Sequence, residues 1–166
     1  MNIERKESFI SEDHLDALIK LIQGINFPWY INEIELGDSR FKQFCHIFYV
    51  DGKRNSGFTE FIEPILNNIS YKYLARVKLN LIPQTNKIIE HPFHTDGDDN
   101  KLTTSLLYLN DNNGYTKFKN KKIIKSKRNR LVTFPSNMLH HGTSCSNKEF
   151  RIVLNIVYEL QSSKII

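Results

Sequence analysis

Residues 150–158 read FRIVLNIVY, and the alternation in this run decides the fold. On an extended chain Phe150, Ile152, Leu154, Ile156 and Tyr158 share one face, and Arg151, Val153, Asn155 and Val157 share the other. The residues are mostly β-branched or aromatic, so a strand is predicted. Its second face is unusual. Arg151 and Asn155 point together between apolar neighbours, where a lone arginine is costly unless it meets an anion.

Working outward, YLARVKLNLI (73–82), TTSLLYL (103–109) and RLVTF (130–134) have the same character, with turn residues between them. Before residue 70 the period is that of a helix. Ser11 caps a helix predicted over 11–23, with Leu15, Leu18, Ile19 and Ile22 on one side and Gly24 as its stop. A second helical pattern runs through Phe58, Phe61, Ile62, Ile65, Leu66 and Ile69. Pro64 interrupts it, so that helix is expected to begin near Glu63. Glycine and proline are scattered, and no repeat or linker is visible. The expected architecture is mainly β with N-terminal helices (α+β), a β-sandwich or jelly roll with helices packed outside it. One domain over 1–166 is expected, with 1–70 supplying helical support and pocket-edge segments and 71–160 the jelly-roll core.

The chain has 166 residues, 40% of them hydrophobic and 25% charged, values that exclude collagen, coiled coil and disordered tail. That length can bury a core without disulfide or metal staples. No apolar run reaches the length of a membrane span, and the start, MNIERKESF, lacks the apolar stretch of a secretory signal. Two cysteines, Cys45 and Cys145, do not make a disulfide scaffold, so a reducing, cytoplasmic setting is expected. The net charge of +5 invites a nucleic-acid reading. Against it, the chain holds 16 Lys, 17 Asn and 20 Ile but only 7 Arg, a bias that A/T-rich codons alone would produce.

Four of the six histidines fall in two short segments, HPFHTD (91–96) and LHHGTS (139–144). In an extended chain the side chains of His94 and Asp96 point to the same side and can converge on one metal ion. A histidine from the second segment adds a third ligand. Two His and one carboxylate, with positions left open, form the arrangement of non-haem Fe(II) oxygenases. A second His-x-Asp, His14-x-Asp16, lies in the predicted helix, where the two side chains diverge. They are read as solvated helix residues. Arg151 follows His140 by 11 residues and is suited to clamp a carboxylate, and Tyr108, on another strand, can add a hydroxyl to the same anion.

With these residues in view, the chain resembles the Fe(II)/2-oxoglutarate-dependent dioxygenases, in particular small prolyl-hydroxylase-like oxygenases of phages and marine microbes. The resemblance runs through FPWYIN (27–32), RVKLNL (76–81), HTD (94–96), TTSLLYLNDNNGYTKF (103–118), NRLVTFPSNMLHHGT (129–143) and RIVLNIVY (151–158). It implies a double-stranded β-helix, cupin-like core. It implies His94, Asp96 and His140 as iron ligands, with His141 in the variable place of His-x-Gly-Thr and the fallback for His140. It implies that Arg151, supported by Tyr108, binds the distal carboxylate of 2-oxoglutarate, with Asn80 as a further contact. The cofactor set is Fe(II), 2-oxoglutarate and O2, with ascorbate as a reductant. The chemistry is oxidative decarboxylation to succinate and CO2 coupled to substrate hydroxylation. If the chain is viral, its setting is the host cytoplasm. His91 is read as a surface or pocket-rim residue, since Pro92 disfavours a helical zinc motif. Thr116 and Phe118 are read as structural residues opening a strand after the turn at Asn113-Gly114.

Residues 117–130, KFKNKKIIKSKRNR, hold eight Lys or Arg and no acid. They read first as a solvated hairpin edge, where lysines discourage strand association. The alternative is a patch for nucleic acid or an acidic partner, which would make the chain a non-catalytic jelly-roll module. The pocket mouth, expected in 26–60 and 84–101, sets the substrate. A protein side chain (prolyl first) or a small metabolite is expected, ahead of an exposed nucleobase.

Overall fold

The structure is a computed structural model and describes residues 3–34 and 42–161. In chain order its elements are β1 (Glu4–Lys6), α1 (Glu12–Ile22), β2 (Tyr30–Glu33), β3 (Lys42–Val50), β4 (Lys53–Arg54), α2 (Glu63–Leu66), β5 (Tyr71–Pro83), β6 (Leu102–Tyr108), β7 (Tyr115–Phe118), β8 (Ile123–Lys125), β9 (Arg130–Pro135), β10 (His140–Gly142) and β11 (Phe150–Leu160). A 3-10 turn at Thr59–Phe61 precedes α2.

The large antiparallel sheet has the order β1-β9-β6-β11-β5-β3-β2, with β4 paired to β3. A small antiparallel sheet has the order β10-β7-β8. β11 lies inside the large sheet between β6 and β5, and its two faces have the characters its sequence predicts. Ile152, Leu154, Ile156 and Tyr158 join the main apolar core with Leu15, Leu18 and Ile22 of α1, Ile65 and Leu66 of α2, and Phe48 of β3. Val153 faces the opposite way, into a second cluster with Phe118 of the small sheet and Leu106, Tyr108, Val132 and Phe134. The helices therefore cover one face of the large sheet and the small sheet covers the other, in a jelly roll whose site lies between the two sheets.

α1 forms as its pattern requires. Ser11 accepts the His14 backbone N–H at 3.3 Å, and Glu12 and Asp13 sit in the positive first turn. α2 is a single short turn. Pro64 sits in its first turn, where a missing N–H costs nothing, and the Asn68 side chain takes the Pro64 carbonyl at 2.8 Å instead of prolonging the helix. The apolar spacing out to Ile69 is thus a buried turn, not a longer helix.

The first seventy residues also contain strands, which the expected helical support leaves out. β3 is the main one. Cys45, His46, Phe48 and Tyr49 are all buried, and the register against β5 slips between Ile47 and Tyr49. A strand buried on both faces and broken by a bulge shows no period of two. His14, read as solvated, is half-buried, and its Nε2 lies 3.0 Å from the Phe61 carbonyl, tying α1 to the turn before α2. Asp16 is exposed and pairs with Arg128. Cys45 and Cys145 are buried free thiols. Among the described residues, no helix is long and apolar enough to cross a membrane.

Candidate metal centre

The two histidine segments meet through backbone pairing. The N–H of His94 donates to the His140 carbonyl at 2.9 Å, and that of His140 donates back at 3.0 Å. The Asp96 N–H reaches the Ser136 carbonyl at 2.9 Å, and the His91 N–H reaches that of Gly142 at 3.1 Å. The 91–96 segment thus runs as an extended partner of the 136–142 segment. The His94 and His140 rings come within 4.6 Å of each other, and ligand atoms of His94, Asp96 and His140 all lie within 4.8 Å of one another. Among the described residues this is the group that can hold a metal ion. His141, the fallback, points elsewhere. Its Nε2 is 3.6 Å from Glu90, and its ring packs edge-on against Phe93.

The donor set fits a divalent ion. The His140 Nδ1 sits 2.9 Å from the Met138 carbonyl. With the proton held on Nδ1, Nε2 presents its lone pair to the centre, 3.4 Å from Asp96. Asp96 is held on every side. The Arg76 guanidinium donates at 2.8 Å, the Asn155 amide at 3.1 Å to each carboxylate oxygen, and the Thr104 hydroxyl at 3.1 Å. Burial works to raise the Asp96 pKa. When no metal takes their lone pairs, protonated His140 beside it and His94, with the Arg76 charge, outweigh burial and hold the group below the usual carboxylate range. Phe118 and Phe134 pack around the His140 ring and complete its apolar wall.

A cavity of about 370 Å³ opens beside this cluster. Arg76, Lys78 and Asn80 of β5 line it together with Arg151, Val153 and Asn155 of β11, since facing residues of paired strands share a face. Arg151 is buried. Its Nε donates to the Ser126 hydroxyl at 2.9 Å and its Nη2 to that of Thr116 at 3.2 Å, with no carboxylate paired to it among the described residues. Two glycines make room for it. A Cβ on Gly114 would stand 2.8 Å from the Arg151 Cδ, and one on Gly142 3.3 Å from its Nη1. Asn80 reaches the cavity as expected, and its Oδ1 is buried with no hydrogen-bond partner.

Tyr108 is fully buried behind the cavity wall. Its hydroxyl donates to Thr116 at 2.8 Å, and its ring lies 5.5 Å from the Arg151 guanidinium. Tyr108 thus backs both groups that face the cavity, Thr116 through its hydroxyl and Arg151 through its ring. Thr116, read as structural, is the hydroxyl that lines the cavity and touches Arg151. His91 is 7% exposed and forms part of the cavity wall, not the surface. Burial, with Arg151 beside it, pushes its pKa down to about 4. Arg76 and Thr104 lie in stretches that carry the resemblance but have no role assigned by it, and Ser126 lies in the turn after β8; their partners become visible only in the fold.

The basic stretch 117–130 folds into the β7–β8 hairpin and the turn leading to β9. Half of its cations are already paired: Lys117 with Glu90, Lys127 and Arg130 with Glu7, and Arg128 with Glu12 and Asp16.

No protein-family model matches the chain, and no curated protein does. Solved structures do match. A prolyl-4-hydroxylase from Pseudomonas putida aligns with a TM-score of 0.60 at 13% identity, over 96% of this chain and 93% of that one. A 2-oxoglutarate–Fe(II) oxygenase-family oxidoreductase from Burkholderia pseudomallei aligns at 0.67 and 11% identity, over 94% and 84%. A prolyl hydroxylase from Trichoplax adhaerens, in complex with a hypoxia-inducible factor oxygen degradation domain peptide, aligns at 0.61 and 12% identity, over 95% and 83%. The chain has the jelly-roll fold shared by these 2-oxoglutarate–Fe(II) oxygenases and prolyl hydroxylases.

Proposed function

We propose that the chain is an Fe(II)- and 2-oxoglutarate-dependent dioxygenase, a hydroxylase whose single oxygenase domain spans the sequence. One observation carries this reading. A His-Asp-His cluster and a buried arginine without a carboxylate partner among the described residues lie in one cavity. The cluster supplies the donors of a non-haem iron site with open positions, and the arginine supplies the receptor for an anion. The fold likeness supports the same reading.

His94, Asp96 and His140 would hold the metal. Arg151 and Thr116 would receive the distal carboxylate of 2-oxoglutarate, with Asn80 alongside. When bound, Fe(II) supplies the oxidative decarboxylation of 2-oxoglutarate to succinate and CO2 coupled to oxidation of a substrate C–H bond. The chain's own residues perform the rest. The Met138 carbonyl orients His140, and Arg76, Thr104 and Asn155 keep Asp96 ionised and fixed in place. Phe118 and Phe134 exclude water on the His140 side of the centre. Ascorbate would serve as reductant, and a cytoplasmic setting suits the free thiols.

The substrate is a protein side chain or a small molecule. The peptide bound by the Trichoplax relative supports the first, and the small cavity supports the second. The test is succinate release from 2-oxoglutarate under air. It should require Fe(II), vanish in Asp96→Ala and His140→Ala, and need far more 2-oxoglutarate in Arg151→Ala. Normal turnover in Asp96→Ala would refute the assignment.

A further inference from the structure

Arg76, Lys78 and Arg151 are the cations of the cavity. Two have a task under the proposed function: Arg76 holds Asp96, and Arg151 faces the distal carboxylate of the cosubstrate. Lys78 has none. It is half-buried, and no hydrogen bond or ion pair reaches it among the described residues. Burial and the Arg76 charge outweigh the pull of the Asp96 carboxylate and depress its pKa, so Asp96 compensates the ammonium only in part. Lysine is seldom placed in such a position unless something pairs with it.

Its location narrows the partner. Lys78 faces Asn155 across the β5–β11 pairing, and the Asn155 amide holds Asp96. Arg151 lies four residues further along β11, about 13 Å at the rise of a strand. Lys78 therefore sits at the metal end of the cavity, remote from the carboxylate receptor already assigned. Among the described residues, Asp96 and the two carboxylates of 2-oxoglutarate do not balance the three lining cations and a divalent metal, which leaves the lining with positive charge to spare. At about 370 Å³ the cavity is near the lower end for ligand pockets, and it must also hold the cosubstrate.

We propose that Lys78 is the receptor for a carboxylate on the substrate, and that the substrate is a small carboxylic acid bound beside the metal. The inference rests on the oxygenase reading for the identity of the site.

The test uses the Mn(II)- and 2-oxoglutarate-loaded protein, titrated calorimetrically with propionate, proline and benzoate, each against its primary amide. At least one acid should bind tenfold or more tightly than its amide. Lys78→Gln should reduce that preference below twofold, Lys78→Arg should retain most of it, and 2-oxoglutarate affinity should change less than twofold in Lys78→Gln. The proposal is overturned if no acid outbinds its amide. It is equally overturned if Lys78→Gln weakens 2-oxoglutarate more than the acids, because the ammonium then serves the cosubstrate. If wild type fails to bind 2-oxoglutarate, the oxygenase reading falls separately. The acid–amide comparison on the Mn(II) protein then still decides the role of Lys78.

Discussion

Asp96 and Arg151 are opposite solutions to the same difficulty, a charge taken out of water. Asp96 is surrounded by donors from β5, β6 and β11, whereas among the described residues Arg151 has the hydroxyls of Ser126 and Thr116 and the ring of Tyr108. Two hydroxyls orient a guanidinium without neutralising it, so its charge remains available to a ligand. Thr116→Val should therefore weaken 2-oxoglutarate binding by about tenfold, the usual worth of one hydrogen bond to a charged group. Thr116→Ser should restore it, and Tyr108→Phe should cost less than Thr116→Val, because Phe keeps the ring against Arg151 and removes a hydroxyl that stands behind Thr116. Calorimetric titration of the three variants checks the order. His91 adds a pH dependence. Its folded pKa, about 4, is below the unfolded 6.5, so the unfolded chain binds more protons in that window. Stability then rises with pH, and His91 alone should take about 2 kcal/mol from the metal-free protein on going from pH 7 to 5. His91→Asn should flatten that slope in denaturant titrations, and an unchanged slope would contradict the burial argument. The metal cluster and Arg151 were legible because a motif fixes their residue types and spacing. Thr116 and Arg76 look like any polar strand residues until the neighbouring strands bring them to their partners.

At the scale of elements, legibility followed periodicity. β5, β6, β9 and β11 each keep one face in an apolar core and the other toward the cavity or second cluster, and all four were read near their true limits. β3 was not, because its bulge and double-sided burial erase the alternation. It nonetheless carries Phe48, which is fully buried between the sheet and the helices. Phe48→Ala should cost about 3–5 kcal/mol in chemical denaturation while leaving Mn(II) affinity intact. Removing the α1 cap with Ser11→Ala should cost about 1 kcal/mol. A Phe48→Ala loss below that of the cap would mean that β3 contributes little to the core.

At the scale of the whole molecule, the positive charge divides into parts with different duties. Arg76, Lys78 and Arg151 line the cavity, and half of the 117–130 cations are tied to acids of β1's flank, α1 and the 84–101 segment. Lys119, Lys121, Lys122 and Lys125 are outside those ion pairs. Replacing these four with Gln should leave succinate release and its salt response unchanged. A steep loss of turnover with salt in wild type, abolished in that variant, would assign the basic hairpin to substrate contact, whereas salt-sensitive nucleic-acid binding with no succinate release at all would favour the non-catalytic alternative. The central claim remains that one cavity holds a metal and a dicarboxylate together. A crystal grown without oxygen in Mn(II) and 2-oxoglutarate tests it most directly. The ion should be coordinated by His94, Asp96 and His140, with the far carboxylate of 2-oxoglutarate on Arg151 and Thr116. Metal bound elsewhere, or a dicarboxylate that leaves Arg151 untouched, would contradict it.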